Sequence, residues 1–133
     1  MVLETEQSAR ARGAKIYSRL TDCSVASVCE ENHADKCAEV MGTLASDRPD
    51  ILIAAGDGAA ELRQREQRAI DELCPNAEII YPKKHIGDLF AAAAAVQIAL
   101  AARSVSLAGD RAIAWANCFG HGSEVASFAM EAA

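Results

Sequence analysis

Fourteen consecutive uncharged residues, from Leu89 to Ala102, constrain the fold of this chain more than any other part of its sequence. Eight of them are alanine, the residue with the highest helix propensity, so we predict a helix over residues 86–103. A helix on the surface of an α/β domain carries one apolar stripe, whereas Gln97 is the only polar residue of this run. We therefore expect a sheet on one side of the helix and a second layer of protein on the other. The alternative is an exposed helix, since alanine also tolerates water.

Short apolar segments alternate with helical ones along the rest of the chain. Residues 51–55, for example, form a continuous apolar run of the kind found in strands covered on both faces. The pattern predicts strands at 14–20, 51–55, 78–81, 111–118 and 124–130, with further helices at 4–12, 33–46 and 59–73. This order, βαβαβαββ after a leading helix, is typical of one α/β unit with a mostly parallel mixed sheet. The last two strands should be antiparallel because the turn between them is short. No internal repeat or linker interrupts the pattern, so we assign one domain over residues 1–133.

Charge and composition exclude several classes of function. A formal charge of −6 and a pI near 5.0 would repel a phosphate backbone, so nucleic acid is not an expected partner. The first residues lack the basic and apolar regions of a secretory signal, and no apolar run reaches the roughly 18 charge-free residues of a membrane span. We expect a soluble cytoplasmic protein without a membrane partner, whose five cysteines stay reduced.

Four passages of the sequence are similar to one enzyme family. They are Val2-Leu3-Glu4 with Ala9-Arg10-Ala11-Arg12-Gly13-Ala14-Lys15-Ile16-Tyr17, Ala54-Ala55-Gly56-Asp57-Gly58 with Glu66, Lys83-Lys84-His85-Ile86-Gly87-Asp88 before four alanines, and Asn117-Cys118-Phe119-Gly120-His121-Gly122. In this order and at these spacings they resemble the C-terminal half of β-ketoacyl synthases, the thiolase-fold condensing enzymes of fatty-acid and polyketide assembly. The resemblance implies a single thiolase-like βαβαβαββ half-unit, one of two such units in a five-layer subunit. The alanine-rich helix would then be buried in the central layer between two sheets.

The chain departs from the family pattern at the positions that carry the chemistry. Condensation in this family needs a cysteine nucleophile from the other half and two histidines from this half, which polarise the malonyl thioester and stabilise its enolate. Ala55 and Asp88 occupy the two histidine positions. Alanine has no side-chain donor, and a carboxylate opposes the developing negative charge. The family lysine is kept as Lys83, whereas His121 replaces the gating phenylalanine of the glycine loop.

The resemblance thus implies the fold of a ketosynthase without its catalytic residues. We interpret the chain as a non-catalytic subunit similar to a chain-length factor, which pairs with an active ketosynthase in polyketide or fatty-acid-type biosynthesis. Its partners would be a ketosynthase subunit and an acyl carrier protein, whose phosphopantetheine arm would be supplied by that partner, with no cofactor or metal held by this chain. The resemblance places the following residues at the substrate tunnel or the subunit contact: Phe119, Gly120, His121, Gly122, Lys83 and Phe90.

Other functions remain open at this stage. The main alternative is the C-terminal half of a split ketosynthase, an acyltransferase completed by a separate chain that carries the cysteine. A free-standing acyl-binding module and a remnant without a role are further alternatives. Alanine and aspartate at the histidine positions disfavour the split enzyme, and we expect no catalysis by the chain alone.

Two groups of potential ligands or catalytic residues come from spacing alone. Cys29, His33 and Cys37 would line one helical face, where zinc accepts such ligands, but the usual short spacing of two cysteines is missing and we favour ordinary thiols. Lys83, Lys84 and His85 form either a small basic spot for a carrier protein or a solvated loop.

Cys118, His121 and Glu124 lie close in the sequence, as a nucleophile, a base and an orienting acid would. Proximity in sequence is not geometry, however, and Cys118 stands where the family has a structural serine. We therefore expect no catalytic role for this group. A nucleotide site at Gly56-Asp57-Gly58 is rejected because Asp57 would repel phosphate.

Overall fold

The computed structural model describes residues 2–56, 60–120 and 124–133, which form one mixed sheet with helices on both faces. The helices are α1 (Glu6–Ala11), α2 (His33–Gly42), α3 (Ala60–Leu73), α4 (Lys83–Ile86) and α5 (Ala93–Ala108). The strands are β1 (Ser18–Ser27), β2 (Ile51–Ile53), β3 (Glu78–Ile80), β4 (Ile113–Phe119) and β5 (Glu124–Ala132). Turns of 3₁₀ helix, Glu30–Asn32 and Phe90–Ala92, lead into α2 and α5. Apart from α1 and the short α4, the order is the predicted βαβαβαββ.

Across the sheet the strands follow the order β1-β5-β4-β2-β3. β2 lies between β3 and β4 and is parallel to both, and β4 is antiparallel to β5, as the short turn predicts. β5 also pairs with β1 in an antiparallel ladder along most of its length. The described strands form two parallel and two antiparallel pairings, and β5 alone among them runs opposite to the others, so the predicted mostly parallel mixed sheet is confirmed.

The first strand is where sequence reasoning fails most clearly. A strand is predicted at 14–20, whereas β1 extends over Ser18–Ser27. Its residues are mostly small or polar, and their burial alternates between half-buried and exposed over much of the strand. Such a strand gives little apolar signal, because it lies at the edge of the sheet and has one face in contact with solvent. Its position is set by backbone pairing with β5, from Ser18 opposite Ala132 to Ser27 opposite Glu124.

The helix predicted at 86–103 is also displaced. Gly87, with φ of 74°, ends α4, and Phe90 has φ of 50°, in the left-handed region that interrupts a helix. The carboxylate of Asp88 accepts a hydrogen bond from the Phe90 N–H at 2.9 Å and stabilises this turn. α5 consequently begins at Ala93 and continues to Ala108.

Two apolar clusters hold the helices against the sheet. On one face α2 and α3 pack over a cluster that includes Leu52 and Trp115. On the other face α5 packs over Ile53 and Met130. β2 is buried along its whole length, as its continuous apolar run predicts.

Only one side of α5 is buried by the rest of the chain. Its buried residues are spaced by four positions and form a single stripe: Ala93, Gln97, Ala101 and Val105. Gln97 faces the sheet, where its Nε2 donates a hydrogen bond to the backbone oxygen of Ala54 at 3.0 Å. The predicted burial of this helix therefore holds for one side, and the described residues supply no second layer for the other.

The side of α5 that points away from the sheet is apolar and open, and we call it the α5 face. Leu107, near the end of the helix, is 68% exposed, and so is Phe90 in the turn that precedes the helix. Between them lie alanines that are exposed or half-buried: Ala91, Ala92, Ala95, Ala99 and Ala102.

The segment Phe90–Ala108 is 19 residues long and apolar enough to cross a membrane by length and composition. The charge-free run ends before Arg103, so its length predicted that no segment could span a membrane. That prediction is corrected because the helix continues through Arg103 to Ala108. Apolar helices that pack in soluble proteins meet the same criterion, and the buried stripe of α5 packs on the sheet. The absence of a membrane partner stays a prediction.

We predict that Gln97→Leu lowers the free energy of unfolding by about 1–3 kcal/mol, because the buried Ala54 carbonyl loses its donor. Urea denaturation of the purified chain measures this. The same substitution at the exposed Gln64 of α3 is the matched control and should change stability by less than about 0.5 kcal/mol. Equal losses in the two variants would contradict a stabilising role for the Gln97 hydrogen bond.

Candidate functional site at the carboxyl edge

The carboxyl ends of the parallel strands β2, β3 and β4 meet at one edge of the sheet, which we call the carboxyl edge. In open α/β sheets this is the edge where ligands bind. Ala55 follows β2, Lys83 follows β3, and Phe119 ends β4. Asp88 and Phe90 lie in the connection between α4 and α5 that starts from Lys83. The fold thus brings to one edge residues that are far apart in the sequence.

A buried glutamate lies at the centre of this edge. Glu66, on α3, is fully buried, and its carboxylate accepts hydrogen bonds from the backbone N–H groups of Ala55 at 3.0 Å and Gly56 at 3.1 Å. The Nδ2 of Asn117 donates to the same carboxylate at 2.7 Å. The hydroxyl of Ser127 in turn donates to the Oδ1 of Asn117 at 2.8 Å. This network ties the segment after β2 to α3, β4 and β5.

Burial raises the pKa of Glu66 above that of an ordinary glutamate, because desolvation penalises the charged form. The hydrogen bonds from Ala55, Asn117 and Gly56 oppose this shift, and so does the positive charge of Lys83. Both carboxylate oxygens are already occupied by donors of the protein. The geometry therefore supports a positioning role for Glu66 in the fold of the edge.

Lys83 and Asp88 form an ion pair beside this network. The Nζ of Lys83 lies 3.5 Å from the Oδ2 of Asp88, and only 8% of the lysine side chain is exposed. The Asp88 carboxylate thus neutralises the amine of Lys83. Neither this carboxylate nor the methyl group of the fully buried Ala55 can donate a hydrogen bond to a ligand.

A small, mostly apolar depression lies between α4 and α5 next to Lys83. Its lining consists of Pro82, Lys83, Ile86, Gly87, Leu89, Ala93, Val96 and Gln97. A second, more open depression lies away from the carboxyl edge, where α1 approaches the last residue of the chain. The depression beside Lys83 has a volume of about 10 Å³, which is the space of one water molecule and far below that of a ligand pocket.

The glycine loop after β4 is described only at its start. Phe119 ends the strand, and the Gly120 N–H donates to the backbone oxygen of Glu124 at 2.9 Å. His121 and Gly122 lie outside the described residues. The predicted role of this loop at a tunnel or subunit contact therefore stays a prediction.

His33, at the start of α2, packs edge-on against Phe119, with the ring centroids 4.6 Å apart and the planes at 87°. It is 7% exposed, and its Nδ1 finds no hydrogen-bond partner on another described residue. Burial, followed by the charge of Arg65, lowers the pKa of His33. The ring is consequently neutral at pH 7 and acts as an apolar neighbour of Phe119.

The thiol of Cys118 is buried on the opposite side of β4 from Asn117. Burial raises its pKa to about 12, and the charge of Glu66 acts in the same direction. A thiol with this pKa is protonated at neutral pH and is a weak nucleophile. Glu124 is exposed at the start of β5. These observations do not favour a nucleophile at Cys118.

Cys29, His33 and Cys37 do not line one helical face. Cys29 is exposed and precedes a 3₁₀ turn, whereas His33 and Cys37 are buried in α2. The expected shared face is wrong because the α-helix begins only at His33 and the preceding turn is tighter. Among the residues that the structure describes, no group of three His, Cys, Asp or Glu side chains is placed to hold a metal ion.

The basic spot around α4 is smaller than the sequence suggests. Lys83 is withdrawn into its ion pair, while Lys84 lies with its Nζ 4.4 Å from the centroid of the Tyr81 ring. His85 is exposed on the same short helix. Lys84 and His85 are thus the basic side chains of this segment that solvent reaches.

Comparison with known proteins identifies the fold of the chain. No family model matches the sequence, and no curated protein sequence does. Among solved structures, the chain is similar to a chain of AntDE:AntF (apo), described as a type II PKS acyl-carrier protein in complex with its ketosynthase bound to the hexaketide, with a TM-score of 0.75 and 15% sequence identity. It is also similar to the PfaC keto synthase–chain length factor, with a TM-score of 0.67 and 22% identity. The fold is a thiolase-like half-unit of the ketosynthase and chain-length-factor type.

The likeness covers almost all of this chain and a minor part of the others. It extends over 98% and 92% of this chain but over 37% and 14% of the two solved chains, respectively. The expected α/β half-unit is confirmed.

Sequence reasoning missed two features of this edge. Glu66 entered only as part of a family passage, and its bonds to Ala55 and Asn117 follow from contacts that no local pattern encodes. The packing of His33 on Phe119 joins residues 86 positions apart. The available signal for Glu66 was its helical spacing, because it stands three and four residues before the buried Ala69 and Ile70 and so shares the inner face of α3 with them.

We predict that Glu66→Gln destabilises the chain by about 1–3 kcal/mol, because the amide places a donor where a backbone N–H or Asn117 already donates. Urea denaturation at neutral pH measures the effect. The same substitution at the neighbouring Glu72, which is exposed on α3, is the control and should be nearly neutral. Full stability of Glu66→Gln would show that the three donors do not require a carboxylate.

We predict that His33 makes the chain less stable in mild acid. Its pKa is lowered in the folded state, so the unfolded chain takes up a proton first as the pH falls through about 6.5. Its contribution to stability is therefore present above that pH and is lost below it. Urea denaturation between pH 7 and pH 5 should show that the stability difference between the wild type and His33→Gln shrinks on acidification.

The exposed His85 provides the matched control for this pH profile. His85→Gln should follow the wild type across the same range. A stability difference for His33→Gln that does not change with pH would contradict the prediction.

Proposed function

We propose that this chain is a non-catalytic ketosynthase-like subunit, similar to a chain-length factor, that pairs with an active ketosynthase in polyketide or fatty-acid-type biosynthesis. The observation that carries the proposal is the composition of the carboxyl edge. Its scaffold is present, with Glu66 bonded to Asn117 and to the segment after β2. Ala55 and Asp88 stand at the two positions where the resemblance expects histidines, and Asp88 is paired with Lys83.

The solved structures of the same fold suggest the kind of partner. One contains an acyl-carrier protein with its ketosynthase, and the other combines a keto synthase with a chain length factor. We infer a ketosynthase subunit and an acyl carrier protein as partners here, with the phosphopantetheine arm of the carrier as the only cofactor. Nucleic acid and membrane are not among the proposed partners, and we place the single domain of residues 1–133 in the cytoplasm.

In this proposal, residues at the carboxyl edge line part of the acyl site of the partner ketosynthase. Phe119 is half-buried and supported by His33, so its ring has a defined position beside the loop of Gly120, His121 and Gly122. Lys83 and the exposed Phe90 flank the apolar depression. These residues would contact the growing acyl chain or the ketosynthase.

A split ketosynthase is supported less well. It would need this chain to supply two hydrogen-bond donors toward the malonyl thioester, and neither Ala55 nor the paired Asp88 supplies one. The alternative regains support if a separate chain with the cysteine restores activity.

The test is a condensation assay with malonyl thioesters of an acyl carrier protein. We predict that the purified chain alone releases carbon dioxide at the rate of buffer, because it lacks a nucleophile and both donors. Co-expressed with a ketosynthase from its gene neighbourhood, it should co-purify, and Phe119→Ala should change the length distribution of the products, read by mass spectrometry.

Phe128→Ala, on the opposite face of the sheet, is the control for product length. Decarboxylation by the chain alone that Cys118→Ala abolishes would overturn the non-catalytic assignment. Failure to co-purify with the ketosynthase would count against the pairing. A product length distribution that Phe119→Ala leaves unchanged would count against a role of the loop.

A further inference from the structure

We propose that His33 is a positioning residue that holds the ring of Phe119 in one orientation and thereby sets the length of the product. The inference rests on the proposed function, because it takes Phe119 as a contact of the acyl chain or of the ketosynthase. His33 itself is 7% exposed, so it acts through Phe119 and not by touching a ligand.

The buried side of α2 places His33 next to the end of β4. His33, Cys37 and Met41 follow one another at four-residue spacing and are all buried, so they share the side of α2 that faces the sheet. Near the end of this stripe, the Nδ2 of Asn117 lies 3.2 Å from the Sδ of Met41. α2 thus contacts β4 at two places, through Met41 at Asn117 and through His33 at Phe119.

The backbone at the start of α2 is held on both sides of His33. The Oδ1 of Asn32 accepts a hydrogen bond from the N–H of Cys29 at 2.8 Å and closes the 3₁₀ turn before the helix. In the first turn of α2, Asp35 pairs with Arg68 of α3 at 3.1 Å. The imidazole of His33 therefore projects from a defined position of the fold.

The orientation of the Phe119 ring depends on His33 more than its backbone does. Pairing of β4 with β5 holds the backbone of Phe119 opposite Val125, and the N–H of Gly120 donates to the backbone oxygen of Glu124 at 2.9 Å. The ring itself is half-buried and meets His33 edge to face, with centroids 4.6 Å apart. Such a pair favours its geometry by roughly two- to ten-fold. Without the His33 ring, the backbone would stay in place and the Phe119 side chain could take other rotamers.

The aromatic ring of His33, and not a hydrogen bond, makes this contact. Its Nδ1 has no hydrogen-bond partner on another described residue, and burial and the charge of Arg65 both oppose a proton on the ring. A buried polar atom without a partner is costly. Phenylalanine at this position would remove that cost and keep an aromatic pair with Phe119, so it should replace His33 in its positioning role.

The first experiment measures product lengths with the co-expressed ketosynthase by mass spectrometry. His33→Leu keeps an apolar side chain but removes the ring, and it should change the ratio of the main product to its neighbours in length by roughly two- to ten-fold. His33→Phe should retain the wild-type ratio. In a chain that already carries Phe119→Ala, His33→Leu should have no further effect, because the ring through which it acts is absent.

Val40→Ala is the matched control for a loss of stability. Val40 is 2% exposed on the same helix and lies seven residues, about 10 Å, from His33. This substitution should destabilise the chain and leave the product ratio unchanged.

Fluorine NMR tests the contact in the purified chain without a ketosynthase. The chain has three phenylalanines, Phe90, Phe119 and Phe128, so labelling with 4-fluorophenylalanine gives one signal for each, and Phe119→Leu assigns the signal of interest. His33→Leu should move the Phe119 signal toward its frequency in the urea-denatured chain and leave the other two in place. His33→Gln, which also lacks a ring, replaces His33→Leu if circular dichroism shows that the leucine variant does not fold.

The outcomes separate this inference from the proposed function. A product ratio that changes with Phe119→Ala but not with His33→Leu would overturn the inference and leave the proposed function standing. A ratio that neither substitution changes would overturn both. Additive effects of the two substitutions, or a Phe119 signal that His33→Leu leaves in place, would also overturn the positioning role of His33.

Discussion

The buried carboxylate of Glu66 is the interaction on which the carboxyl edge depends. A charge without water is costly, and the cost is offset only when hydrogen bonds occupy its oxygens. Here the donors come from the segment after β2 and from β4, while the carboxylate itself stands on α3. A shift of any of these elements would leave a buried acceptor or donor without a partner. The network thereby fixes how three elements meet.

This constraint lets side chains at the carboxyl edge vary while the edge keeps its shape, because Glu66 is held by backbone groups and by Asn117. Ala55 takes part through its backbone N–H, so the identity of its side chain is free to vary without breaking the bond to Glu66. Asp88 is accommodated by Lys83, which neutralises its charge. The fold therefore depends on the backbone atoms of these residues, whereas any chemistry would depend on their side chains. For this reason a similar fold does not by itself imply a similar activity.

α5 imposes the second constraint, and its one polar side chain shows how. Gln97 orients the helix, because its amide bonds to the Ala54 carbonyl at the end of β2 and directs one stripe to the sheet. The same rotation turns Ala95 and Leu107 outward. The carboxyl edge and the α5 face are thus linked through the short segment after β2.

Local patterns in the sequence determined the order of elements, the buried β2, the antiparallel β4–β5 pair and the apolar character of α5, because hydrophobic periodicity and turn length act over a few residues. Four family-like passages also located the edge that holds Ala55, Lys83 and Phe119. Only the tertiary structure decided the place of β1, whose polar residues are held by pairing with β5. It also decided the partners of Glu66, because Asn117 comes from a distant part of the chain. The left-handed turn at Phe90 is local, but the alanines that follow it predict a continuous helix and conceal it.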